Sequence, residues 1–211
     1  MKDKPNEWVA VADLMSGVVA VIMLLFIVSV LQQAAYKAKT EEELKKYKEL
    51  NQKSVRAILY IIQESFKEHN NSDLVQVDFT KNKLIITEGI FGKGSACLSQ
   101  SAKDSFIKIG SDIKKFLSLN PKNSIYIEGH TDNLPVLNPI IDYKKFCTVY
   151  ADNYSLSASR AIEIKKVLDI NLSRELASRL IVAGYGDSHP IKGLNPSDPR
   201  NRRVEILFVE N

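Results

Sequence analysis

The sequence predicts an α+β protein: a single N-terminal transmembrane helix, a helical linker, and a C-terminal domain in which strands and helices share one sheet. Three observations carry this reading. Between Val9 and Leu31 the only charged residue is Asp13. Leu44, Tyr47, Val55, Ile58, Leu59, Ile62 and Phe66 then recur at the spacing of one helical face. From Asp73 onward, β-branched runs alternate with helical patterns.

Composition sets the frame. The chain has 211 residues, 29 basic and 25 acidic, for a net charge of +4, a length suited to one folded domain plus an extra segment. With 45% hydrophobic and 26% charged residues, it has an ordinary globular balance, unlike a disordered or collagen-like chain. No block is basic enough for a nucleic-acid footprint, which needs Lys and Arg clustered on one face.

The first element is the span, residues 9–31, after a short tail of residues 1–8. At 1.5 Å per residue this run reaches about 34 Å, enough to cross a hydrocarbon core of roughly 30 Å. A secretory signal would have an apolar region of about 7 to 15 residues and a small-residue cleavage site. Gln32-Gln33-Ala34-Ala35 matches such a site weakly, and no Cys follows closely enough to carry a lipid anchor. A retained span is the expectation.

Asp13 is its informative residue, because a carboxylate near the centre of a span costs about 2.5 to 3.5 kcal/mol. It lies nearer one end, which lowers that cost, and an interfacial Asp marking the membrane boundary is the plainer alternative. Against it, Trp8 is the natural headgroup anchor and Val9 to Ala12 precede the carboxylate. Ser16 and Gly17 follow at i+3 and i+4, so the charged face is also small and polar, as on a helix packed against protein. A carboxylate so placed, shifted by burial towards neutrality, is expected to take up and release a proton, with Ser16 beside it. Orientation is contested: two Lys precede the span, and Lys37, Lys39, Lys45, Lys46 and Lys48 follow it. Taken alone, that bias would keep the C-terminal part in the cytoplasm, although large domains translocate largely regardless of charge.

The linker, residues 32–70, is read as a helix from about 40 to 68. Thr40 with Glu43 fits a capping box, and Asn70-Asn71 provides the stop. Its apolar stripe needs cover, from a second copy of the chain or from its own domain. Residues 34–50 are also a candidate plug for a closed channel.

The C-terminal domain, residues 71–211, reads as strands at 74–79, 83–88, 124–129, 179–184 and 202–209, with helices at about 101–119 and 155–169. Ser155, Ser157 and Ser159 each offer a hydroxyl to cap the second helix. Glu128-Gly-His-Thr-Asp-Asn133 stands at a strand end and Leu156-Ser-Ala-Ser-Arg-Ala161 at the following helix start. Both can meet at one sheet edge, where α/β folds commonly bind ligands. Asp132 then offers a carboxylate to a ligand ammonium and Arg160 a planar fork to a ligand carboxylate, a pair suited to a zwitterionic amino acid. Direct pairing of Asp132 with Arg160 is the alternative.

Gly129-His-Thr-Asp-Asn, Asn153…Leu156-Ser-Ala-Ser-Arg-Ala161, Val182-Ala-Gly-Tyr-Gly186 and Asn201-Arg-Arg-Val-Glu205, in this order, resemble the OmpA-like peptidoglycan-binding domain over residues 75–211. The resemblance implies a βαβαβ-like sheet that grips the diaminopimelate of the wall's stem peptide. Thr131 and Asp132 would hold its ammonium end and Arg160 its carboxylate, with Asn153 adding a polar contact. Asn201 and Arg202 fall in the binding-edge motif, while Arg203, Val204 and Glu205 would support the last strand. Residues 134–152 form a longer, more apolar insertion than the family usually carries and are placed to cover the pocket.

Trp8-Val-Ala-Val-Ala-Asp-Leu-Met-Ser-Gly17 resembles the start of B-type stator subunits, the MotB family and its ZorB branch in Zorya anti-phage defence. The Asp-Leu-Met-Ser-Gly string, the short tail and the paired cysteines look more like the ZorB branch. The resemblance implies two B chains inside a ring of five MotA- or ZorA-like subunits, with ion passage at Asp13 driving rotation. It implies an inner-membrane protein with a cytoplasmic N-terminus and a periplasmic, wall-anchored domain. The expected function is the B subunit of a proton-driven motor, with flagellar stator or passive wall tether as alternatives. A homodimer, the bilayer and peptidoglycan are the implied partners; H⁺ or Na⁺ is the transported ion and no cofactor is implied.

In that compartment Cys97 and Cys147 are expected to form a disulfide, worth about 4 kcal/mol on the chain-entropy model, with two buried thiols as the alternative. His69, His130 and His189 have no zinc-ligand spacing with either cysteine. His130, Asp132 and Ser157 lack a nucleophile elbow and an oxyanion donor set, and Gly184-Tyr-Gly186 opens no helix, so no enzyme is expected.

Overall fold

Helix α1 (Glu7–Glu68) runs without a break through both predicted helical segments. The computed structural model describes residues 7–68 and 74–210; the stop expected at Asn70-Asn71 lies outside them. The capping box expected at Thr40 is not used. Thr40 sits in mid-helix, and its Oγ1 donates to the Tyr36 carbonyl at 2.9 Å. Gln32 to Lys39 contains no Gly or Pro, and propagating an existing helix costs less than nucleating a second.

The chain divides into two units, Met1–Leu50 and Asn51–Asn211. Within the first, Val11–Glu43 is long and apolar enough to cross a membrane, and its most apolar 18-residue stretch has a mean hydropathy of 2.9. Its large apolar side chains, Leu14 and Phe26 among them, are exposed.

In the second unit, Val55, Ile58, Leu59, Ile62 and Phe66 of α1 are buried in the core. Phe66 meets Phe106 edge to face at 5.4 Å. The described part of the stripe is therefore covered by its own domain; the side chains of Leu44 and Tyr47 lie outside the described residues. Segment 51–68 thus belongs with the domain, earlier than the expected boundary at 71, because its apolar face completes the core.

The remaining elements are β1 (Val75–Asp78), β2 (Lys83–Thr87), α2 (Gln100–Leu119), β3 (Ser124–His130), α3 (Tyr143–Phe146), α4 (Asn153–Asp169), α5 (Arg174–Ala177), β4 (Leu180–Gly184) and β5 (Arg203–Val209). The sheet order is β1-β2-β5-β3-β4. Only the β3–β4 pair is parallel among the named strands. The βαβαβ path through β2, α2, β3, α4 and β4 is present, and β5 returns between β2 and β3. Alternation decides the faces. Leu84, Ile86, Ile125, Ile127, Val204, Ile206 and Phe208 are buried with the apolar sides of α2 and α4, while Lys83, Glu128, His130, Arg203 and Glu205 take the other face.

Two short helices, α3 and α5, were not legible in the periodicity. Helix α4 begins at Asn153, not 155, and none of the three serines caps it: Asp152 accepts from Ser155 N. The Asp152 carboxylate stands at the N-cap position, one residue before the helix, from which it reaches a first-turn amide, whereas the serine hydroxyls are already inside the helix.

Helix α4 lies close against the sheet at Gly129 and Gly184. A Cβ on Gly129 would stand 2.0 Å from the Ser157 carbonyl oxygen, and one on Gly184 would stand 2.6 Å from Ala158 Cβ. Backbone cannot swing aside as a side chain does, so Gly129→Ala is expected to cost about 3 kcal/mol. Thermal unfolding followed by circular dichroism measures this; an unchanged midpoint would mean that α4 is free to shift off β3.

Candidate functional site

Close packing of α4 on β3 brings the strand end and the helix start together. Thr131 N donates to Gly186 O at 2.8 Å, and Gly186 N donates to Ser157 Oγ at 2.9 Å. The exits of β3 and β4 are thereby tied to α4, and Thr131 and Asp132 are both buried there.

Asp132 and Arg160 do not pair with each other. Asp132 accepts from Arg202 Nη1 at 2.6 Å, and Arg160 Nη2 donates to Glu88 at 2.7 Å. Arg202 Nε also donates to Glu88. The result is a continuous relay of alternating charge, Asp132, Arg202, Glu88, Arg160, drawn from the loop after β3, the turn before β5, the turn after β2 and α4. Charge-assisted bonds of this kind are short and directional. Burial alone would raise the Glu88 carboxyl, but the Arg160 and Arg202 guanidiniums overcome it and hold the pKa below the usual carboxylate range.

Arg160 is the largest fully buried side chain described, 1% exposed. Its Nε donates to Ser95 O at 3.1 Å, and its guanidinium lies 5.2 Å from the Phe91 ring centroid. Its Nη1 and the Thr131 hydroxyl are buried without a hydrogen-bond partner among the described residues. Buried polar atoms rarely stay unpaired, and these two lie together with the relay at the junction of the β3 exit and α4.

The other predicted residues sit around the relay. Asn153 Nδ2 donates to the carbonyls of Asp132 and Leu134, at 3.2 and 3.0 Å, and so shapes the loop after β3. Asn201 is fully buried: its side chain accepts from Ile191 N and donates to the carbonyls of Asn195 and Pro196. It holds the 191–201 loop that presents Arg202. Arg203 and Glu205 pair on β5 at 2.6 Å.

Cys97 and Cys147 are disulfide-bonded, with Cα atoms 5.0 Å apart. The bridge joins the insertion to the loop after Phe91, and Phe146 O accepts from both Ala96 N and Ser95 Oγ. Since the Ser95 carbonyl also receives Arg160, the insertion helps to place that guanidinium. Leu137 and Ile141 of the insertion are exposed.

Glu88 escaped the sequence reading. It lies 72 positions before Arg160, and the only local signal is a carboxylate between a strand and Gly89. In the membrane segment, Asp13, Leu14, Gly17, Val18, Val21 and Ile22 line a groove along one helix face. Ser16 Oγ donates to the Asp13 backbone carbonyl at 2.8 Å, not to its carboxylate.

A mixed five-stranded sheet backed by helices, with an Asp/Arg relay where the exit of β3 meets α4, defines the class: an α+β domain that gathers alternating charges at the ends of its strands. The chain belongs to the OmpA family, whose sequence profile matches residues 90–203, more than half of its length. It is 26% identical over 167 residues to Motility protein B of Bacillus subtilis (strain 168), an alignment covering 77% of this chain and 59% of that protein. The fold is shared with a putative MotB-like protein from Desulfovibrio vulgaris at 20% identity and a TM-score of 0.53, covering 76% of this chain and 96% of that one. It is shared also with the cell wall anchor of the T6SS from Pseudomonas aeruginosa, at 22% identity and a TM-score of 0.50, covering 71% and 97%.

Proposed function

We propose that this chain is the wall-anchored B subunit of an ion-driven rotary motor in the bacterial inner membrane, with its N-terminus in the cytoplasm and its OmpA-family domain in the periplasm. One observation carries the reading: a single chain joins an apolar helix bearing one carboxylate to an OmpA-family domain with a buried Asp/Arg relay. A motor that exerts torque must be held, or it turns itself. Thr131, Asp132, Arg160 and Arg202 would hold the diaminopimelate of a peptidoglycan stem peptide, with Asn153 and Asn201 shaping the loops around it. Asp13 would carry H⁺ or Na⁺, with Ser16 on the same face. Two copies of this chain within a ring of MotA- or ZorA-like subunits would supply the protein interface that Asp13 requires.

Wall binding is tested by sedimentation with purified peptidoglycan. Asp132→Ala and Arg160→Ala are each expected to lower retention at least tenfold, the loss of one charge-assisted contact of about 1.5 to 3 kcal/mol. Undiminished retention by both folded variants would remove this pocket assignment.

The Asp-Leu-Met-Ser-Gly string and the paired cysteines support a role in Zorya-type anti-phage defence. Similarity to Motility protein B of Bacillus subtilis favours motility as the second reading. Deletion of the gene separates them: greater phage plating with unchanged swimming supports defence, and the reverse supports motility.

A further inference from the structure

We propose that the helix-free face of the sheet carries a binding site for a divalent transition-metal ion of the Zn²⁺ or Co²⁺ type, formed by Glu128, His130 and Glu205. This site is separate from the wall-binding relay, on the other side of β3 and β5, and does not depend on the reading above.

Strand geometry assembles it. Glu128 and His130 are two apart on β3 and share a face, and Glu205 is the direct cross-strand partner of Glu128 on β5. One ligand atom from each residue lies within 4.8 Å of the other two. They line a cavity of about 520 Å³ whose wall includes Tyr185, His189 and Lys83.

His130 supplies the independent observation. It is 3% exposed, yet both ring nitrogens lack a hydrogen-bond partner among the described residues. Buried imidazoles normally spend at least one nitrogen on a partner. Its ring is held in place by stacking on Tyr185, 5.3 Å between centroids and 18° from parallel.

The carboxylates point the same way. Two like charges directly opposite across a ladder repel each other unless a cation lies between them. Glu205 already receives Lys83 Nζ and Arg203 Nε, each at 2.6 Å, whereas the polar contact of Glu128 is the Tyr185 hydroxyl at 3.4 Å. A carboxylate oxygen has a second lone pair, so Glu205 can serve a metal while keeping Arg203. Lys83 is the group that must yield, and Asp78, its cross-strand partner on β1, lines the same cavity and offers its ammonium another carboxylate. One imidazole with two carboxylates suits zinc-like ions, while Ca²⁺ and Mg²⁺ demand six or more oxygens.

The test uses tag-free, full-length protein in detergent, stripped with chelator and titrated with CoCl₂ while visible absorption is followed. One Co²⁺ per chain is expected, displaced by Zn²⁺ and untouched by excess Mg²⁺. Glu128→Gln and His130→Gln should each weaken binding by roughly tenfold or more, with circular dichroism confirming their fold. Lys83→Met, which removes the competing cation, should tighten it. Absence of saturable absorption in the parent protein, unaltered binding in folded Glu128→Gln, or no tightening in Lys83→Met would each overturn the proposal.

Discussion

Asp13→Asn is expected to abolish ion flux while leaving wall retention unchanged. Asparagine keeps the shape and polarity of the side chain, and the Ser16 hydroxyl bonds the backbone carbonyl of residue 13 rather than its carboxylate, so the helix is undisturbed. What disappears is the one charge between Val9 and Leu31, and an amide cannot alternate between charged and neutral forms. Cells bearing the ring-forming partner, monitored by cytoplasmic pH and Na⁺ reporters, provide the measurement. Flux equal to that of the parent protein would end the motor reading and leave a passive wall tether.

The second large effect belongs to Glu88. Removing it by Glu88→Ala strands Arg160, whose side chain is 1% exposed, and also takes a partner from Arg202. Breaking a buried pair typically costs about 3 to 5 kcal/mol because the surviving charge is left uncompensated. The Glu88 side chain retains 26% exposure, so water reaches the site and the lower end, about 3 kcal/mol, is expected. Urea unfolding measures this loss. Glu88→Gln, which keeps an acceptor but not the charge, should lose less stability and still impair peptidoglycan retention, because Arg160 and Arg202 would no longer be held in position. Normal retention by folded Glu88→Gln would show that Asp132 and Arg160 act without the relay.

Acid should act on the same network. The Glu88 pKa is depressed in the folded state, so its contribution is fully present above the unfolded carboxylate value and declines as the pH falls through the lower folded one.

The apolar helix, the carboxylate within it and the order of the strands and longer helices were legible in the chain, because each depends on local periodicity or on a solvent preference that no distant residue reverses. Ranges for β2, β3 and β4 agree within a residue or two with those read from alternation. The cysteine pair was legible for a related reason, since compartment and an even count constrain it. Thr40 shows where local reading stops: its capping signal is real as a pattern, but an uninterrupted run of helix-tolerant residues before it carried the helix straight through. Asp152 shows the same limit at α4, where the effective cap was the residue just outside the serine-rich stretch.

What only the tertiary structure decided is the partnership of charges. Asp132 and Arg160 could be placed at one end of the sheet from the chain alone, but Glu88 and Arg202, which join them, come from distant turns with no spacing to connect them. The cover over the stripe at Val55 to Phe66 was equally undecidable, because an apolar helix face accepts any apolar surface and only packing selects one. Likewise Glu205 stands opposite Glu128 through β-ladder register, a relation between strands 77 residues apart in sequence. Local sequence sets which side chains share a face; long-range register sets which charges must then come to terms.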